Sequence, residues 1–577
     1  MKKLLSIFAF MALSMVILCS CNDDNVVANP APETEKTEDA DYLVMLYSVG
    51  GGNLDSYMLG NIMQLLDEGS HEKVKMTFEY KLSASLQQLP QFKDFEGTRR
   101  FTADQNAHLK DKFLSLTDDY PYLDEKEMAD VVSQIKSERI GDAKYDMSCK
   151  EGLADFIKWS KQQYPNAKHK ILIIGDHGGA WSLHRDGIKD TRAVLFDDNI
   201  PDTQLGPDFD NKGLSLQNLV DGVNDAGGID ALYQSACCMS TYENLYSYAQ
   251  CVKYVLASFE ATPARGADYS YLHKLLRKAG SGEENMVKAM KKYVDYTNSV
   301  WNSSSSFCTD LGLYDLSKLD KLTPILKKAT DLLVEKYTSN EELELKGDEH
   351  PLGNTYAPYI RAAMTSCLVS YGEKYIPVES IPKNIASLMI EDRVGSKYDE
   401  YFLSIDVIKW LRFAPTDNAK KAYEQYPEEW AKAKKVVYNL NNASYSLTDL
   451  LSGVFGNLAR AGLGMDDNPF IIWMDLVNAL EEVAYIKCTD IKFGAYISCS
   501  PGINLMPLND LYYCEENERM AKVIPTYQEA LRYYQNTEFD KQVGWSRVLQ
   551  LLDVYPNAFT NTMRDFMGEL QVKDEEK

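Results

Sequence analysis

The chain has 577 residues, 45% hydrophobic and 25% charged, which is more than one ordinary core organises and calls for two domains or one large elaborated domain. Its net charge of −24 argues against nucleic acid or an anionic membrane face as a partner, since both need basic patches, and leaves an acidic solvated surface as the plain reading.

At the N-terminus, Lys2 and Lys3 precede the apolar stretch LLSIFAFMALSMVIL, which has the pattern of a signal peptide and is too short for a stable membrane span, so residues 1–20 are read as a leader. The stretch closes on LCSC, with Leu18 three residues before Cys21 and small residues between. This has the form of a bacterial lipobox, in which Cys21 becomes the lipidated first residue of the mature chain. An acidic, proline-containing segment follows, and residues 21–41 cannot bury enough apolar surface to fold, which makes them a flexible tether. The expectation is an exported bacterial lipoprotein at the outer membrane or cell surface, touching the membrane through its lipid anchor alone.

From residue 42 strands and helices alternate. YLVMLYSV (42–49) is an apolar run of strand length, and the helix-spaced Leu54, Met58, Ile62, Leu65 and Leu66 follow, with Asn53 placed as an N-cap. VKMTFEYKL (74–82) is a second strand, 149–165 a helix stopped by Pro165, and KILIIG (170–175) a short run typical of a buried parallel strand. RAVLFD (192–197) reads as an added strand. A helix at 214–227, a strand at 229–236, a helix at 240–250 and a strand at 253–260 complete the series. Such alternation predicts a mostly parallel sheet covered by helices on both faces, with chemical groups just beyond the carboxyl ends of its strands. Residues 42–300 form this α/β unit. Residues 301–577 form a mixed, helix-rich region with some strands, including helices near 319–337, 415–437, 470–484 and 525–536 and strand character at 492–508.

Two strand ends carry reactive residues. In ILIIGDHGGAW the strand runs out at Gly175 and His177 stands at the turn, while in YQSACCM a later strand ends at Cys237 and Cys238. In a parallel sheet two such ends can be neighbours, as a cysteine–histidine pair requires: the thiolate attacks, and the imidazole takes the thiol proton and returns it to the leaving amine. The Gly178 N–H could meet the developing oxyanion. Taken singly, His177 is equally a turn histidine, and a lone buried cysteine is more often packing. Adjacent strand side chains point to opposite sides, so one cysteine at most faces His177. An α/β-hydrolase is set aside because no G-x-S-x-G elbow occurs in the sequence. The nine cysteines after Cys21 are odd in number and irregular in spacing, giving neither a disulfide framework nor a zinc site.

These blocks, in order, resemble the clostripain family of cysteine peptidases in the caspase-like clan: YLVMLYSVGGGNLDSY, GLADFIKWSKQQYPNAKHKILIIGDHGGAW, TRAVLFDD, SACCMSTYE and ASFEATPARGADY, spanning roughly 42–275, with weaker echoes at PGINLMPL and YYQNTEFDKQVGWSRVL. The resemblance implies a caspase-like three-layer α/β sandwich and a hydrolase acting on peptides or proteins. His177 would be the base, Cys237 the nucleophile, Gly178 the oxyanion donor and Cys238 the variable residue. It also implies cleavage after Arg or Lys, with Ser235 and Asp268 at the specificity pocket. Ser235 departs from the pattern, since the family has an aspartate there, and this weakens the expected basic selectivity. No cofactor is required for the chemistry. Calcium is possible, with Asp197, Asp198 and Asn199 a weak candidate site. Arg185, Lys189, Arg192 and Lys212 are candidate self-cleavage points or equally ordinary surface charges. The competing readings are an inactive peptidase-like lipoprotein that binds peptides, and a glycan-binding lipoprotein, which leaves the His and Cys blocks unexplained. Oligomeric state is not readable from these residues.

Overall fold

The computed structural model describes residues 40–113, 123–182, 192–200, 212–258, 262–304 and 311–339, and in the remainder 368–371, 375–394, 401–403, 416–436, 442–446, 468–486, 502–504 and 534–550 with a few single positions. The leader and Cys21 lie outside the described residues. The last two residues assigned to the tether belong to the fold: Ala40 is buried, and the Asp41 carboxylate accepts from Lys168 Nζ at 2.9 Å.

The first strands among the described residues are, in chain order, β1 (Tyr42–Val49), β2 (Val74–Lys81), β3 (Thr98–Thr102), β4 (Glu138–Gly141), β5 (His169–Gly175), β6 (Gly178–Ser182), β7 (Arg192–Asp197), β8 (Lys212–Ser215), β9 (Ala231–Ser235), β10 (Tyr254–Ser258) and β11 (Leu311–Asp315). Among the described residues, nine strands make the main sheet in the order Ala484–Ile486, β11, β10, β9, β5, β1, β2, β3, β4. The central run from β10 to β2 is parallel, and both flanks are antiparallel. β7 is not part of this sheet. It pairs with β6 and β8 in a separate three-stranded sheet.

Alternation along β1 divides the core in two. Tyr42, Val44 and Leu46 point to one face, and Leu43, Met45, Tyr47 and Val49 to the other. The first face is covered by α1 (Asp55–Glu68), α2 (Glu125–Gln134) and, later in the chain, helices Tyr269–Lys278 and Glu283–Ser304. The second is covered by helices Lys150–Gln163, Leu216–Asp225, Tyr242–Tyr248 and Leu319–Thr338. Strands buried on both faces need continuous apolar sequence, as LVMLYSV and ILII supply. The result is the expected three-layer α/β sandwich.

Residues after 300 join this body. β11 and Ala484–Ile486 extend the main sheet, and helix Asn468–Val483 packs into the second face's core. The 492–508 stretch contributes Gly502–Asn504, which pairs with Asn442–Ser446 in a small separate sheet. Among the described residues, no helix is long and apolar enough to cross a membrane.

Candidate active site

β5 and β9 are neighbours in register, Ile174 opposite Gln234 and Gly175 opposite Ser235. His177 and Cys237 each lie two residues past that last pair, at the carboxyl ends of strands about 4.8 Å apart. Both line one cavity of about 130 Å³. Gly178 closes the gap between the two turns: a Cβ built on it would stand 2.2 Å from Cys237 O and 2.9 Å from Cys237 N. Only a glycine lets the two backbones approach this closely.

His177 is held at two points. Its carbonyl accepts from Leu195 N at 3.3 Å. Its Nε2 lies 2.7 Å from Asn53 Oδ1. An amide oxygen only accepts, so this contact assigns the ring proton to Nε2 and leaves the Nδ1 lone pair as the base. Burial lowers the imidazole pKa, favouring the neutral ring. Asn53 is therefore not the cap the local pattern predicts. α1 starts at Asp55 after Leu54, which makes no side-chain cap bond, and the Asn53 amide crosses to the imidazole instead.

The Cys237 sulfur accepts from Thr262 N at 3.3 Å and lies 3.7 Å from Thr262 Oγ1. Cys238 is 3% exposed. The two cysteines are separated as expected, but by a different cause. β9 ends at Ser235, so both lie beyond the pleat, and the chain turns at Cys238 through φ 61°. A non-glycine residue held there costs roughly 1–3 kcal/mol, a strain that the surrounding packing must offset.

Asp176 is buried and pinned. Oδ2 accepts from Phe196 N, and Oδ1 lies against Gly51, where a Cβ would stand 2.1 Å from it. Gly51 has φ +49°, so glycine serves both the turn and the contact. Burial pushes the Asp176 carboxyl pKa well up, favouring its neutral form.

Ser235 lines the cavity with Cys237, whereas Asp268 lines an adjoining cavity of about 310 Å³ that shares Gly266. Asp268 caps helix Tyr269–Lys278: Oδ1 accepts from Tyr271 N at 3.2 Å and Ser270 Oγ at 2.6 Å, and Oδ2 from Tyr296 Oη at 3.4 Å. Asp197 and Asn199 act as ties. Asp197 Oδ2 meets Lys81 Nζ at 2.8 Å, both side chains fully buried, and Asn199 Nδ2 donates to Leu82 O at 2.9 Å. Asp198 Oδ1 accepts from Ala84 N at 3.0 Å, and burial raises its pKa to about 6. Among the described residues, no group of three or more His, Cys, Asp or Glu side chains is set to hold a metal ion. Arg192 sits in β7 opposite Ser215, and Lys212 opens β8, opposite Asp197. Arg185, Lys189 and Glu260 lie outside the described residues.

A three-layer α/β sandwich with a cysteine and a histidine at adjacent parallel strand ends defines the caspase-like class of cysteine peptidases. The family model of the clostripain family matches residues 109–550, most of the chain, and the chain belongs to that family. Solved structures similar to it include a secreted cysteine protease from Bacteroides thetaiotaomicron in complex with an irreversible peptide inhibitor (11% identity, 87% of this chain and 99% of that one, TM-score 0.44). Another is an inactive zymogen protease from Parabacteroides distasonis (12% identity, 88% and 98%, TM-score 0.43). No curated protein matches the chain.

Proposed function

We propose that this chain is a cysteine endopeptidase in which Cys237 and His177 form the catalytic pair. The observation that carries the reading is their placement in one cavity at matched positions of two neighbouring parallel strands, with Gly178 against the Cys237 peptide. In this reading the Cys237 thiol proton passes to His177 Nδ1 as the sulfur attacks the scissile carbonyl. The electron pair displaced onto the carbonyl oxygen meets the Gly178 N–H. Collapse of the tetrahedral adduct breaks the C–N bond, and the imidazolium protonates the departing amine. Water, activated by the same imidazole, hydrolyses the thioester and restores the thiol. Asn53 holds the ring in the tautomer this sequence needs. With Cys21 as a lipidated first residue, the enzyme would work at the outer membrane or cell surface on peptides and proteins there.

The test is digestion of a peptide library by purified residues 22–577, with the cuts sequenced. The parent cleaves, and His177→Ala produces no cuts above background. Equal cutting by the two would remove His177 from the mechanism. The pH profile gives a second readout. The neutral imidazole is the base, so kcat/KM falls as pH drops through the lowered His177 pKa, placing the acid limb below pH 6.5. Asn53→Asp sets a carboxylate beside the ring, favours the imidazolium and shifts that limb upward. An unmoved limb contradicts the Asn53 assignment.

A further inference from the structure

β9 lies between β5 and β10, so the Cys237 turn is flanked by two strand ends. β5 supplies His177 from one side. From the other, four residues past the end of β10 at Ser258, comes Thr262, which lines the same cavity. Among the described residues, every hydrogen-bond partner of the Cys237 sulfur belongs to Thr262. These are the backbone N–H at 3.3 Å, the hydroxyl oxygen at 3.7 Å and, farthest, the carbonyl oxygen at 3.9 Å.

The local chain fixes these contacts. Pro263 confines the residue before it to extended backbone. Pro263 O accepts from Gly266 N at 2.8 Å, closing a tight turn that Gly266 completes at φ +65°. Thr262 lies beyond the β10 ladder, and its N–H is directed at the sulfur. A neutral thiol is a weak acceptor, whereas hydrogen bonds to an anion are about twice as strong as those between neutral groups. An N–H and a hydroxyl set around one sulfur before reaction suit its charged form, since donors already in place cost no reorganisation when charge develops.

We infer that Thr262 is a further catalytic residue, which carries the negative charge of the Cys237 sulfur at the two points where that charge appears. This rests on the peptidase reading. The charge forms first when His177 takes the thiol proton. It forms again in thioester hydrolysis: the water oxygen bonds to the acyl carbon, the C–S bond breaks, and its electron pair stays on the sulfur until the imidazolium returns a proton. Thr262 donates hydrogen bonds throughout and gives up no proton. Its loss tells most at the second point, where the sulfur is the leaving group. At the first, a stabilised thiolate is more abundant but less nucleophilic, and the two effects partly cancel.

The experiment compares residues 22–577 with Thr262→Val, which keeps the shape and the N–H but lacks the hydroxyl, and with Thr262→Ser, which keeps the hydroxyl. The substrate is an activated ester of a peptide that the parent cleaves, so that acylation is fast and thioester hydrolysis limits turnover. Thr262→Val lowers kcat about tenfold and kcat/KM by no more than about threefold, so that KM falls as well. Decay of the acyl-enzyme, followed by mass spectrometry after a single turnover, slows by the same factor as kcat. Thr262→Ser stays within about threefold of the parent in both parameters. A Thr262→Val enzyme with the parent's kcat overturns the inference and leaves the peptidase reading intact. So does a Thr262→Ser enzyme as slow as Thr262→Val, or a kcat/KM that falls as far as kcat, since each assigns Thr262 to packing. A parent that forms no acyl-enzyme and turns over no substrate overturns the peptidase reading itself.

Discussion

Replacing Cys237 with alanine lowers kcat about 10,000-fold or more, while Cys238→Ala stays within a few-fold of the parent. The first change removes the attacking sulfur, and loss of a nucleophile that acts together with its base leaves only the catalysis due to binding and oxyanion contacts. The second removes a buried side chain that does not line the cavity. Alanine at 238 keeps the strained φ, so the turn that presents Cys237 persists. The paired assay matters because the two residues are adjacent and chemically identical. If Cys238→Ala is the dead variant, the left-handed turn has been read backwards.

Lys81→Met destabilises the protein by about 3–5 kcal/mol, measured as a shift in chemical unfolding. Lys81 and Asp197 are both fully buried, and removing the cation leaves a buried carboxylate without its partner. Adding Asp197→Asn recovers part of the loss, because it removes the unpaired buried charge while the amide oxygen still accepts from Asn199 N, a bond that Asp197 Oδ1 makes at 3.1 Å. The effect reaches the site as well. Asp197 follows Phe196, whose N–H holds Asp176, the residue directly before His177. Turnover by Lys81→Met therefore falls even where the fold persists. A variant as stable as the parent would show that the pair does not act as a buried tie.

The central strands were legible because each is a short apolar run ending in turn residues, and burial on both faces demands that composition. β3 was not. Its sequence, TRRFT, carries charge, and Arg100 is buried there only because Glu79 and Asp155 meet its guanidinium at 2.6 and 2.7 Å. No local pattern reports such a pair. The antiparallel flank formed by β11 and Ala484–Ile486 depends on residues about 170 positions apart, beyond the reach of periodicity.

The candidate site was half legible in the same sense. His177, Gly178 and Cys237 stand at strand ends, where a parallel sheet collects its chemistry. The position of Asn53 before an apolar-periodic stretch predicts a helix cap, and its contact with a ring 124 residues away overrides that local preference. The Asp and Ser of GADYSY carry the signature of a helix cap, a local signal that accounts for Asp268 in its observed place.

The most direct measurement is the site of covalent capture. Residues 22–577 are incubated with a peptidyl acyloxymethyl ketone, and the adduct is mapped by mass spectrometry in the parent and in His177→Ala. The Cys237–His177 pairing predicts a single adduct on Cys237 that forms at least a hundredfold more slowly without the imidazole. An adduct on another cysteine, or an equal rate in the two proteins, would contradict it.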